Sequence, residues 1–138
     1  MAHLLIVDDD EDIRFSMRAL LEDVAGHTVQ EAVDGVDGLE KLQASEVALV
    51  VLLDLLMPRL DGFAVLEAVS ADQRLVAQHV YIVDSVSRRA TDATLPPNVT
   101  VPVQILSKPF DIDDILDAVA QAERRLAPPP DRDFRPRS

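Results

Sequence analysis

The sequence predicts an α/β domain built on an open, doubly wound parallel sheet of five strands with helices on both faces. Three observations predict it. Short aliphatic runs recur along the chain, and most are followed by a stretch whose apolar residues fall at helical spacing. The stretches between runs are mostly long enough for the crossover helix that parallel strands need. The run 47–53 is aliphatic at almost every position, as a strand covered on both faces must be.

Taken in order, His3 to Val7 is an aliphatic run that ends in the acid string Asp8 to Asp12, a buried strand followed by a loop. Ile13, Met17, Leu20, Leu21 and Val24 recur on one helical face, and Gly26 is placed to stop that helix. His27 to Glu31 predicts a second, more polar strand, and Asp34-Gly35 opens a helix with Val36, Leu39 and Leu42 inward. The third strand, Val47 to Leu53, terminates at Asp54. Pro58 and Gly62 mark the next loop, and Asp61 caps a helix with the buried stripe Phe63, Leu66 and Val69. His79 to Val83 is the fourth strand. From Val86 to Asn98, Thr91, Thr94 and the pair Pro96-Pro97 leave room for only a short or irregular fourth helix. Val101 to Leu106 contains Pro102 and suits an edge strand, where a missing amide is tolerated. Asp111 caps a last helix with Ile112, Ile115, Leu116 and Val119 inward. Beyond Leu126, Pro128 to Pro130 with Arg132, Arg135 and Arg137 reads as a disordered tail or linker over 127–138, leaving one domain over 1–126.

A chain of 138 residues accommodates one compact domain, and 48% apolar residues supply its core without the help of cysteine, of which there is none. Thirteen basic residues against 25 acidic give a net charge of -12, which repels nucleic acid and anionic membrane and favours cations or cationic partners. Met1 to Val7 is too short for a signal-peptide core, and no apolar run approaches the roughly 18 residues that span a bilayer. The expectation is a soluble, cytoplasmic protein that binds neither nucleic acid nor membrane directly.

In an open parallel sheet, ligands sit at the carboxyl ends of the strands. Asp8 to Asp10, Asp54, Asp84 with Ser85, and Lys108 follow the first, third, fourth and fifth strands, so the topology gathers them at one edge. Two carboxylates about 4 Å apart repel by about 4 kcal/mol at an effective dielectric near 20, so such a cluster needs protons or a cation. Carboxylates, carbonyls and water suit magnesium, and no His or Cys cluster competes for a softer metal. Glu11 and Asp12 read as ordinary helix-start acids, but Asp54, directly after an aliphatic strand, has no packing role. A carboxylate beside a metal and a fixed ammonium can hold the ion or attack a phosphoryl group. His3, His27 and His79 lie at strand starts, at the opposite edge.

Three segments, LLIVDDDED at 4–12, VVLLDLLMPRLDG at 50–62 and ILSKPF at 105–110, occur in this order and at this spacing. Through them the chain resembles the receiver domain of two-component response regulators over about Ala2 to Leu126. The resemblance implies a flavodoxin-like fold with strand order 2-1-3-4-5. It implies that Asp54 is the phosphoacceptor, that Asp9 and Asp54 hold Mg2+ directly with Asp8 acting through water, and that the Leu56 carbonyl is a further ligand. Lys108 would bind the phosphoryl oxygen, with Pro109 shaping its loop. The implied phosphodonor is a sensor histidine kinase, a phosphotransfer protein or a small molecule such as acetyl phosphate. The domain would not be an enzyme beyond assisting its own phosphorylation and dephosphorylation, and a homodimer is among the assemblies the family uses.

Three departures stand against that pattern. Where the family carries Thr or Ser at the end of the fourth strand, the segment HVYIVDS places Asp84, whose charge opposes a phosphoryl group; Ser85 can supply the hydroxyl only if the strand bulges or ends early. Ile105 stands where an aromatic is usual, and the fourth helix is poor. Phosphorylation with weakened coupling is therefore expected. The alternatives are a receiver-like interaction module impaired in phosphorylation, and a magnesium phosphatase. The latter usually carries a second Asp two residues after its nucleophile, where this chain has Leu56. Nucleotide binding is disfavoured because no Gly-rich loop follows a strand among the four glycines.

Overall fold

Among the described residues ten regular elements are arranged as β1 (His3–Val7), α1 (Glu11–Ala19, continued by a π-helical turn over Leu20–Val24), β2 (Thr28–Ala32), α2 (Gly35–Ala44), β3 (Leu49–Asp54), α3 (Gly62–Ser70), α4 (Gln73–Gln78), β4 (Val80–Ser85), β5 (Val103–Ser107) and α5 (Ile112–Arg125). The structure, a computed structural model, describes residues 2–55, 61–85, 97–107 and 111–126. Residues 86–96 of the stretch Val86 to Asn98 expected to hold the fourth helix, the loop with Leu56 and Pro58, Lys108 with Pro109, and the 127–138 tail lie outside the described residues. The strands form one parallel sheet in the order β2-β1-β3-β4-β5, as the sequence and the resemblance predict.

Alternation along the strands sorts the core into two layers. Leu5 and Val7 of β1, Val51 and Leu53 of β3, and Tyr81 and Val83 of β4 pack with Leu42 of α2, Val65, Leu66 and Val69 of α3 and Leu75 of α4. The intervening Leu4 and Ile6, Val50 and Leu52, and Ile82 pack on the other face with Met17, Leu21, Ile115 and Val119 from α1, its π-turn and α5. An all-parallel sheet requires this double cover, which explains why β3 is buried at every position.

Several inward assignments need correction. Val24, Val36 and Ile112 are exposed, Val24 at 70% and Ile112 at 60%. The π-turn over Leu20–Val24 fits an extra residue into the last turn and rolls Val24 off the face that holds Leu21. In α2 the inward line is Gly35, Gly38 and Leu42, because the helix packs so closely that a Cβ on Gly38 would lie 2.9 Å from a Val7 methyl. Ile112 occupies the first turn of α5, before Ile115 begins the buried stripe. Gly26 does stop the first helix, at φ 77°. β5 begins at Val103 rather than Val101 because the Thr100 and Val101 amides both donate to Ser70 Oγ, at 2.9 and 3.0 Å, and Pro102 has no amide. Helix α4 has no counterpart in the sequence reading; at six residues it is too short to show periodicity.

Each of the α-helices α1 to α5 starts on an aspartate. Asp10, Asp34, Asp61, Asp72 and Asp111 accept backbone N–H bonds, and Asp111 completes a capping box with Asp114. Part of the acidic excess thus serves helix N-termini.

Candidate functional site

The backbone brings Asp8 and Asp54 together from strands adjacent in the sheet. The β1 ladder continues one residue past Val7, as the Asp8 N–H donates to the Ala32 carbonyl at 3.2 Å. Asp8 thereby follows Leu4 and Ile6 on the α1/α5 face, and Asp54 follows Val50 and Leu52 on the same face. Asp8 and Asp54 are buried, 2% and 7% exposed, while Asp9 is open to solvent. One carboxylate oxygen from each of Asp8, Asp9 and Asp54 lies within 4.8 Å of the other two.

Local bonds hold the loop that carries the acids. The Asp10 N–H donates to Asp8 Oδ1 at 2.9 Å, and Asp10 Oδ1 caps α1 through the Asp12 and Ile13 amides. Arg14 Nη1 donates to the Asp8 carbonyl at 2.6 Å and its Nε to Glu31 Oε1 at 3.0 Å. Arg18 joins Glu31 at 2.8 Å and Glu22 at 3.2 Å. Bonds to Arg18 and then Arg14 hold the Glu31 carboxyl below the usual range, and the same carboxylates raise Arg18. Behind Asp54, the Gly62 N–H donates to the Leu55 carbonyl at 3.2 Å. A Cβ on Gly62 would lie 2.6 Å from the Asp54 carbonyl oxygen and the Leu55 Cα, so α3 starts hard against the end of β3.

Three carboxylates so close, two of them buried, repel one another unless a cation or protons intervene. The donors are all hard oxygens, which fits magnesium or calcium and not a thiol- or imidazole-seeking metal. Two histidines are committed elsewhere: His27 Nδ1 accepts the Ala2 N–H at 2.9 Å, and His79 Nδ1 accepts the Leu49 N–H at 3.0 Å.

Of the other sequence-derived candidates, Asp84 is the register partner of Asp54 in the β3–β4 pairing, and Ser85 pairs one step further with Ser107 of β5. The β4–β5 ladder runs from Tyr81 to Ser85 without a bulge. Ile105 pairs with Val83 and packs, half-buried, against the α2/α3 layer. Leu56 and Lys108 lie outside the described residues. Sequence reasoning gave no part to Arg14 or to the steric role of Gly62. The signal for Gly62 was its place after the cap Asp61; for Arg14, a first-turn arginine next to an acid pair, there was none.

Comparison with known proteins agrees with this geometry. The family model of the response regulator receiver domain matches residues 4–120. The DNA-binding dual master transcriptional regulator RpaA of Synechocystis sp. is 33% identical over 128 residues, covering 91% of this chain and 50% of that protein. The response regulator MprA of Mycobacterium avium is 33% identical over 129 residues, covering 93% of this chain and 54% of that protein. The chain thus spans about half the length of these curated relatives. Among solved structures, the chemotaxis protein CheY4 of Vibrio cholerae matches with a TM-score of 0.75 at 27% identity, covering 88% of this chain and 98% of that one.

Proposed function

Because the chain belongs to the response regulator receiver domain family, whose members serve phosphorelay signalling, we propose that Asp54 is its phosphoacceptor and that Asp8, Asp9 and Asp54 are its magnesium ligands. The observation that carries this reading is the buried Asp54 carboxylate within 4.8 Å of the other two at the carboxyl edge of a parallel sheet. Leu56 through its carbonyl and Lys108 through its ammonium complete the proposed centre. Bound magnesium would neutralise the phosphoryl oxygens that gather charge during transfer.

The chain's own residues perform the rest. An Asp54 oxygen attacks phosphorus in line; the new O–P bond forms as the donor's N–P bond breaks, and the imidazole leaves with the electron pair and takes up a proton. Burial of Asp54 limits water around the acceptor, and the close start of α3 at Gly62 fixes the backbone from which it projects. Asp8, held by the Asp10 amide, would help hold the ion mainly through a water. Lys108 binds a phosphoryl oxygen. The partners proposed are a sensor histidine kinase or phosphotransfer protein in the cytoplasm, with no direct contact to nucleic acid or membrane. Among the described residues no helix is long and apolar enough to cross a membrane. The domain, proposed as 1–126 followed by a tail or linker, turns over no substrate beyond its own phosphoryl group and can pair with a second copy.

One observation favours a second reading, an interaction module impaired in phosphorylation: Asp84 stands in register with Asp54 at the place of the family hydroxyl. The regular ladder through Ser85 supports Asp84, not Ser85, as the neighbour of the phosphoryl group. Intact-mass measurement after incubation with magnesium and acetyl phosphate tests both. The proposal expects a single phosphoryl gain that needs magnesium, is lost in Asp54→Asn, and rises several-fold in rate in Asp84→Thr. No gain in wild type would favour the interaction module, and an unchanged rate in Asp84→Thr would refute the role given to Asp84.

A further inference from the structure

Arg14 stands in the first turn of α1 and is the one arginine or lysine buried among the described residues, at 9% exposure. A guanidinium in that environment is costly unless its donors are satisfied, and two of them are. Nη1 donates to the Asp8 carbonyl at 2.6 Å, and Nε donates to Glu31 Oε1 at 3.0 Å. Glu31 is anchored on β2 and held independently by Arg18 at 2.8 Å. The planar fork of the guanidinium therefore spans from a fixed carboxylate on β2 to the loop after β1.

The acceptor in that loop is the carbonyl of the peptide that joins Asp8 to Asp9. Clamping this peptide plane sets the direction in which the chain leaves Asp8, and with it the relative directions of the two side chains. The Asp10 N–H, at 2.9 Å from Asp8 Oδ1, fixes Asp8 from the side-chain end. We propose that Arg14 is a positioning residue of the acidic centre, its guanidinium presetting Asp8 and Asp9 around a divalent cation through the peptide between them. The inference rests on the reading of Asp8, Asp9 and Asp54 as a magnesium site. Residues that orient metal ligands from behind typically change affinity by about 10- to 100-fold when removed, which sets the scale expected here.

A merely structural role, tying α1 to β2, predicts something different. Arg18 also ties α1 to Glu31, and it bonds Glu22 as well, at 3.2 Å. The test is calorimetric titration of the full chain with magnesium chloride in wild type, Arg14→Met and Arg18→Met, with amide hydrogen exchange measured on the metal-free proteins. The expected result is magnesium affinity weakened about tenfold or more in Arg14→Met and within about twofold of wild type in Arg18→Met. The Asp9 and Asp10 amides should exchange faster only in the Arg14 variant. If Arg14→Met does not fold, Arg14→Lys replaces it; this variant keeps the charge on Glu31 but lacks the fork, and at least about threefold weaker binding is expected. Wild-type affinity in the folded Arg14 variant, or an equal loss in Arg18→Met, overturns the inference and leaves the magnesium site standing. No magnesium binding by the wild type overturns the site itself and the inference with it.

Discussion

Two imidazoles at the amino edge of the sheet, His79 buried and His27 half-buried, are bonded as only neutral rings can be. His79 Nδ1 accepts the Leu49 amide at 3.0 Å, so Nε2 carries the hydrogen and faces the Leu42 carbonyl at 3.3 Å. His27 Nδ1 likewise accepts the Ala2 amide at 2.9 Å. Protonating either Nδ1 would set one N–H against another, and burial lowers both pKa values below 6.5. The unfolded chain then takes up protons that the folded chain resists. This contribution to stability is complete above about pH 6.5 and is lost as pH falls toward the lower folded values. Glu31, also lowered, adds its own loss only below its ordinary value of 4.5. Urea unfolding should therefore show a lower midpoint at pH 5.5 than at pH 7.5, and an unchanged midpoint would contradict the neutral-histidine assignment.

At the scale of elements, the junction of β3 with α3 tightly constrains the backbone of Asp54, the proposed acceptor. A methyl at Gly62 would sit 2.6 Å from the Asp54 carbonyl oxygen, against backbone that has no rotamer with which to retreat. Gly62→Ala should cost about 1 to 3 kcal/mol by overpacking and slow phosphorylation at Asp54; urea denaturation and the acetyl phosphate reaction measure the two effects. Wild-type values for both would show that α3 can shift without cost. The element order itself was legible because cover on both faces of the sheet leaves nearly uniform apolar runs in β1 and β3, and because Asp34, Asp61 and Asp111 announce helix starts. Helix α4 was not legible, since Leu75 is its single buried residue. Val24 was misplaced because a π-turn breaks the period on which helical spacing depends. Asp8, Asp9 and Asp54 could be found as strand-end acids. Arg14 could not, because its burial depends on Glu31, 17 residues away on another strand.

For the whole molecule, parallel topology turns sequence separation into proximity: all strands point the same way, so acids that follow β1 and β3 meet at one edge. Part of the acidic excess behind the net charge of -12 lies at helix caps and in one acid cluster open to a cation. In the function proposed above, that cluster is the phosphorylation centre. Its chemistry can be read at a single atom: borohydride reduces an aspartyl phosphate to homoserine, and peptide mass spectrometry locates it. After reaction with magnesium and acetyl phosphate, homoserine is predicted at position 54 alone; homoserine at position 8, 9 or 84 with none at 54 would contradict the account.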